Sequence, residues 1–178
     1  MSQIFFMVFP YFKMLLLLYT NHMIILLDNI RSLANVGSIF RTADAAGVEK
    51  IYLCGITPQP IDRFGKLRPQ LAKVSLGAEK NVPWEYYKSA SRLIDKLKKD
   101  GYEILAVEQD KKSVPYHKSK VGSQKSKVAL VFGNEVRGLS KAILKKADKI
   151  LEIPMAGKKE SLNVSVAFGI IIFKLLYD

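Results

Sequence analysis

Val128-Ala-Leu-Val-Phe-Gly-Asn-Glu-Val-Arg-Gly138 is an apolar run that stops abruptly at a polar cluster bounded by two glycines. A wholly apolar run of five residues between turn signals reads as a strand buried on both faces, and the cluster as the loop at its end. Two further clusters also stand where apolar strands stop, Asn35-Val-Gly-Ser-Ile-Phe-Arg41 and Ile153-Pro-Met-Ala-Gly-Lys-Lys-Glu-Ser-Leu-Asn163. Strand ends in an open α/β sheet converge on a crevice where ligands bind, so segments about a hundred residues apart can share one composite site.

Outward from this strand, apolar runs at Ile24 to Leu27, Ile51 to Cys54, Ile104 to Val107 and Ile150 to Ile153 alternate with helix-like segments. That alternation predicts a single-domain parallel sheet with helices on both faces. The first helix is expected from Asn35 or Val36 to Ala46, with Val36, Ile39, Phe40 and Ala43 on one face, Arg41 off it and Gly47 as the stop. A second spans roughly Ala90 to Lys99, with Leu93, Ile94 and Leu97 inward, and Ser140 is the expected N-cap of a third. The last helix, about Val164 to Leu176, is apolar nearly all round and must be covered on every side. Either a second subunit covers it, the favoured reading, or it is a central helix of the monomer.

The length of 178 residues fits one domain with a real core. Lysine and arginine number 28 against 16 acidic residues, a net charge of +12, which points to a polyanionic partner or, alternatively, to solubilising lysines. Two basic stretches read as loops, Gly55 to Gln70 with Arg63, Lys66 and Arg68, and Gln109 to Ser126. There Phe64, Tyr116 and His117 are placed to stack on an unpaired base while the cations hold phosphates. Cys54 is the single cysteine, so no internal disulfide forms, and its apolar surroundings predict a buried thiol in a reducing, cytoplasmic setting. His22 and His117 alone give zinc no ligand set, and no metal is expected. Residues 1–22 are apolar but broken by Pro10 and Lys13, too short for a span and without a cleavage site. They are read as an extension outside a domain of residues 23–178 that starts at Met23, without stable membrane association.

Gly133 and Gly138 have the spacing of a phosphate-binding loop, yet Leu139-Ser140 follow where lysine and a hydroxyl residue are needed. A nucleotide triphosphatase is thereby disfavoured. As a set, Asn35-x-Gly-x-x-x-Arg41, Phe132-Gly-Asn-Glu135 and Ile153-Pro-Met155 with Ser161-Leu-Asn163 resemble the three motifs of the TrmH (SpoU) family, RNA ribose methyltransferases of the SPOUT superfamily. The resemblance covers roughly Ile25 to Leu176. It departs at Val136, where many relatives carry glycine, so a positive backbone angle is not expected there.

This resemblance implies a C-terminal segment threading a deep trefoil knot, an exception to the general absence of knots. It also implies a homodimer, and S-adenosylmethionine bent within the knot, its adenine held by backbone groups of Gly133, Ile153 and Leu162. Glycine at 133 is read as letting the backbone approach the ligand, and Gly157 as the turn into the cofactor loop. The implied reaction moves the sulfonium methyl to a ribose 2′-hydroxyl of RNA, tRNA ahead of rRNA. That hydroxyl is a poor nucleophile until its proton leaves or its charge is stabilised. Arg41 holds the family's central position; because a guanidinium stays protonated, it is read as binding the adjacent phosphate and the developing oxyanion, with phosphate or water taking the proton.

Asn35 is either a substrate-site asparagine or the first helix's N-cap, and Glu135 orients Arg41 or the loop around it unless it is a surface ion pair. Ser161 and Asn163 position the ribose or cap the last helix, and Asn29 and Arg31 are additional candidates for RNA contact. An alternative of a different class is an RNA-binding or ribosome-assembly protein with the same fold and no catalysis. The joint presence of Arg41, Glu135, Ser161 and Asn163 argues against it.

Overall fold

Every residue of β1 (Met23–Asp28) is buried, as a parallel strand covered on both faces must be. The computed structural model describes residues 22–119 and 127–177. The expectation for residues 1–22 therefore lies outside the described residues except at His22, as does part of the second basic stretch. Six further strands follow: β2 (Lys50–Cys54), β3 (Trp84–Tyr87), β4 (Glu103–Val107), β5 (Val114–Pro115), β6 (Val128–Phe132) and β7 (Lys149–Glu152). All pair parallel in the order β3-β2-β1-β6-β4-β7-β5. Register aligns Leu27 with Phe132, Phe132 with Val107, and Val107 with Leu151, so the carboxyl ends of β1, β6, β4 and β7 stand level. The three polar clusters issue at or beside that edge.

The two-residue period of the strands divides the core in two. On one face Ile25, Leu27, Leu130 and Phe132 pack with α1 (Leu33–Ala46), α2 (Pro69–Ser75) and α6 (Val164–Tyr177). On the other Ile24, Leu26, Ala129 and Val131 pack with α4 (Ala90–Lys99) and α5 (Lys141–Lys146). A one-turn helix, α3 (Ala78–Asn81), precedes β3. Helices thus cover both faces, as the alternation predicted, and the inward residues of α1 and α4 are those expected. Cys54 is buried, and burial, reinforced by the Asp28 charge, pushes its thiol up to about 12, which leaves it protonated and inert at neutral pH. Among the described residues no helix is long and apolar enough to cross a membrane.

Three differences from expectation have plain causes. The first helix begins at Leu33, because the Ser32 hydroxyl accepts from the Asn35 N–H at 3.2 Å and is the N-cap; Asn35 is not. β3 escaped notice because it is an edge strand with Glu85 and Tyr86 exposed and has no apolar run, and β5 is only two residues long. The last helix matches its expected range within a residue; Phe168, Ile171 and Ile172 are buried, while Val166, Phe173 and Tyr177 remain 43–52% exposed.

Gly37 decides how closely the helices pack on the first face. A Cβ there would lie 2.7 Å from the Leu71 carbonyl oxygen and 3.1 Å from the Val74 Cβ, too near for any side chain without a shift of α2. Overpacking of this kind costs about 1–3 kcal/mol, so Gly37→Ala is expected to lower the thermal midpoint by roughly 3–10 °C. An unchanged midpoint in calorimetry would show that α2 gives way freely.

Candidate active site

Glu135 sits just beyond β6 and reaches the amino end of α1. Its Oε2 accepts from the Arg31 N–H at 3.1 Å, and its Oε1 from the Ser32 N–H at 3.2 Å and the Asn35 Nδ2 at 3.1 Å. The arrangement is natural for an anion, since a helix amino terminus leaves N–H groups unsatisfied and carries positive potential. Burial works to raise the carboxyl pKa, but donation from its own N–H, from Arg31, from the Asn35 amide and from Ser32 outweighs it, holding the group below the usual carboxylate range.

The chain of hydrogen bonds continues into the third cluster. Asn35 Oδ1 accepts from Asn163 Nδ2 at 3.0 Å, and Asn163 Oδ1 in turn accepts from the Ser165 N–H at 2.8 Å and the Ser165 hydroxyl at 2.7 Å. Asn163 therefore caps the start of α6 with one end of its amide, as one of its expected roles required, and bonds Asn35 with the other. Asn35, Glu135 and Asn163 come together although about a hundred residues of chain separate the first from the other two.

Beside this chain lies a cleft of about 260 Å³ at the carboxyl ends of β4, β6 and β7, closed by residues 153–162 and α6. Gly133, Ile153, Leu162 and Ser161 line it, as do Glu135, Met155 and Val164. Gly133 lines the cleft and is also needed by its own turn. A Cβ at this position would lie 2.6 Å from the Gly138 carbonyl carbon and the Leu139 nitrogen, so its bareness lets the 133–139 turn fold back on itself. Val136 has no positive φ, in keeping with its departure from glycine. Gly157 lies in a bend of the 153–162 segment and has no positive φ either.

Arg41 is exposed on α1, nearly two turns beyond Asn35, and belongs neither to the cleft lining nor to the partners of Glu135. The expectation that Glu135 orients Arg41 itself is corrected accordingly. The carboxylate is engaged by Arg31, Ser32 and Asn35, and it fixes the start of the helix that carries Arg41.

Several residues of the site were not anticipated. The Asn134 Nδ2 donates to the Asn29 carbonyl at 2.7 Å while its Oδ1 accepts from the Val136 and Arg137 N–H groups, bracing the turn against β1. Glu108 accepts from the Leu139 N–H at 2.7 Å and from the Gln109 N–H at 3.0 Å, and Gln109 Nε2 donates to the Glu160 carbonyl at 2.7 Å. Their signal was present in the sequence: Glu108-Gln109 is also a polar pair at the stop of an apolar run. Asn29 carries φ 59° and accepts the Ile56 N–H, a structural use of a residue read as an RNA contact.

Replacing Glu135 by Gln puts an amide donor where three N–H donors converge and removes the charge. Because the folded pKa lies below its usual value, the stability this carboxylate contributes is present above the usual range and is lost as pH falls through the folded pKa. The thermal midpoint of the wild type is accordingly expected to exceed that of Glu135→Gln at pH 7, and the gap to close on acidification towards pH 3. A gap independent of pH would show that the charge is immaterial.

The model of the SpoU rRNA methylase family matches residues 22–173. A tRNA (guanosine(18)-2′-O)-methyltransferase of Borreliella burgdorferi is 33% identical over 161 residues, which cover 89% of this chain and 68% of that protein. Relatives from Staphylococcus haemolyticus and Staphylococcus saprophyticus are 33% and 32% identical over 152 residues, and the chain spans 57% of their length. Among solved structures, the AdoMet-bound rRNA methyltransferase from Sinorhizobium meliloti superimposes with a TM-score of 0.77 at 30% identity, covering 86% of this chain and 55% of that one. The A. aeolicus TrmH/SpoU tRNA modifying enzyme does so with 0.75 at 31% identity, covering 88% and 75%.

Proposed function

The chain belongs to the SpoU rRNA methylase family, and on that premise we propose that it transfers the methyl group of S-adenosylmethionine to a ribose 2′-hydroxyl of a structured RNA, tRNA ahead of rRNA. One observation carries the proposal: the polar chain from Asn163 through Asn35 to Glu135 joins three separate clusters at the rim of a cleft.

The cleft suits the cofactor by its chemistry. Apolar side chains of Phe132, Leu151, Ile153 and Leu162 offer a surface for a heteroaromatic ring, and the backbone of Gly133, Ile153 and Leu162 offers hydrogen-bonding groups to its edge. Glu152 adds a carboxylate to the lining, where hydroxyls and a cationic group find an acceptor. When bound, the cofactor supplies an electrophilic methyl group on a sulfonium centre.

The remaining work falls to the chain's own residues. Ser161 lines the cleft and Asn163 follows two residues on, and these short polar side chains hold a ribose in line. Arg41, exposed and charged, binds the phosphate next to the reacting nucleotide and stabilises the oxygen as its proton passes to phosphate or water. Glu135 fixes the amino end of α1 and so the direction in which Arg41 projects. The exposed Val166, Phe173 and Tyr177 of α6 support assembly as a homodimer, in which a second copy covers that face. The family's trefoil knot is assigned to the C-terminal segment that closes the cleft, and residues 23–178 to the methyltransferase unit.

Labelled methyl transfer from S-adenosylmethionine to total small RNA, followed by alkaline mapping, tests the reaction. The product is expected to resist alkali at one position. Arg41→Ala is expected to lose at least about a hundredfold in kcat, the scale of one removed oxyanion donor, and Arg41→Lys to lose most activity because it lacks the planar fork. Full rate in Arg41→Lys would rule out a bidentate role. Tight RNA binding without any transfer would instead favour a binding protein of the same fold.

A further inference from the structure

The turn at 61–67 exposes Ile61, Phe64 and Leu67 outside α6. Phe64 stands at its tip and is 71% exposed, although large aromatics are ordinarily withdrawn from water. The turn is no loose tip. Asp62 Oδ1 accepts from the Phe64 N–H at 2.8 Å and the Lys66 N–H at 2.9 Å, the Asp62 N–H donates to the Lys66 carbonyl at 2.8 Å, and Ile61 bridges Leu67 antiparallel. The ring is therefore held outward by a fixed backbone.

The base of the turn is tied to the sheet edge that bears the site. Thr57, buried, accepts from the Ile30 N–H at 3.0 Å and donates to the Leu27 carbonyl at 2.8 Å, and Ile56 donates to Asn29. The Ile30 N–H is one residue from the Arg31 N–H that Glu135 receives. Phe64 thus projects from the same end of β1 and β2 as the candidate site.

Its neighbours are cations. The Arg63 guanidinium lies 4.7 Å from the Phe64 ring centroid, Lys66 follows two residues on, and Arg68 has a buried Nε with no hydrogen-bond partner among the described residues. Asp62, the one acid in the segment, is occupied within the turn. A flat ring flanked by free cations matches an unpaired nucleotide, whose base stacks and whose phosphates are anionic.

We propose that residues 61–68 form an RNA-gripping arm in which Phe64 stacks on an unpaired base while Arg63 and Lys66 hold its phosphates. The arm rests on the reading that RNA is the methyl acceptor. Arg63 covers one ring face and leaves the other for the base. Because Asp62 has already fixed the backbone, little ordering remains to be done when RNA arrives.

Two variants test the arm on the full chain. Phe64→Ala is expected to raise KM for total tRNA about tenfold, the scale of one lost stacking contact, with kcat within about twofold and S-adenosylmethionine binding unchanged. Phe64→Trp is expected to be quenched by added total tRNA beyond any quenching of the native Trp84 in the wild type, and Arg63→Ala with Lys66→Ala to lower the salt slope of that binding by about 1.4. An unchanged KM in Phe64→Ala, no added quenching in Phe64→Trp, or a change of oligomeric mass in Phe64→Ala in place of the KM effect would each overturn the arm. If the wild type transfers no methyl to any RNA, the reaction fails, and the Phe64→Trp quenching still decides the arm separately.

Discussion

A carboxylate that bonds to backbone has a consequence a side-chain ion pair does not: it fixes chain direction. Glu135 binds the N–H groups of Arg31 and Ser32 at the amino end of α1, from a turn about a hundred residues later. Breaking this contact leaves donors of a helix terminus without their partner and separates two of the three clusters that make the site. Asn35 and Asn163 then lose their common register, because Asn35 bonds both. A surface salt bridge, the alternative use of Glu135, contributes little on its own; here three converging hydrogen bonds to one charge make the difference.

Parallel topology makes that contact possible. With the ends of β1, β6, β4 and β7 level, every connection leaving that edge starts within reach of the others. Three of the polar residues found there hold backbone: Asn134 the Asn29 carbonyl, Glu108 the Leu139 N–H, Gln109 the Glu160 carbonyl. Buried polar groups without partners are costly, and these connections would otherwise leave several. The rim of the cleft is thus laced by side chain to backbone bonds.

Most of the fold was legible because the central strands are apolar on both faces, α1 and α4 show one apolar stripe each, and α6 is apolar nearly all round. β3 was not, since an edge strand with Glu85 and Tyr86 in solvent has no such run. The first helix start was misplaced for a different reason: Ser32 and Asn35 are both good capping residues, and only the geometry shows that Ser32 accepts the bond. The three polar clusters were legible as a set of motifs, yet the partners of their side chains were not. Nothing in the spacing of Glu135 distinguishes Arg31 and Ser32, reached through backbone, from Arg41, the evident charge partner.

That distinction bears on how a guanidinium acts. An arginine clamped by a nearby carboxylate is partly neutralised, and each phosphate it binds must compete with that partner. By holding the helix rather than Arg41, Glu135 leaves the guanidinium's full charge and its planar donor set in solvent at a defined place on α1. A group so placed gains most when an anion arrives, because it loses no existing pair and its backbone is already fixed. The same logic holds at the 61–67 turn, where Asp62 binds backbone and leaves Arg63 and Lys66 unneutralised. In both places an acidic residue sets the geometry of a cation without touching its charge, which allows a strongly basic chain to keep acids beside its exposed cations.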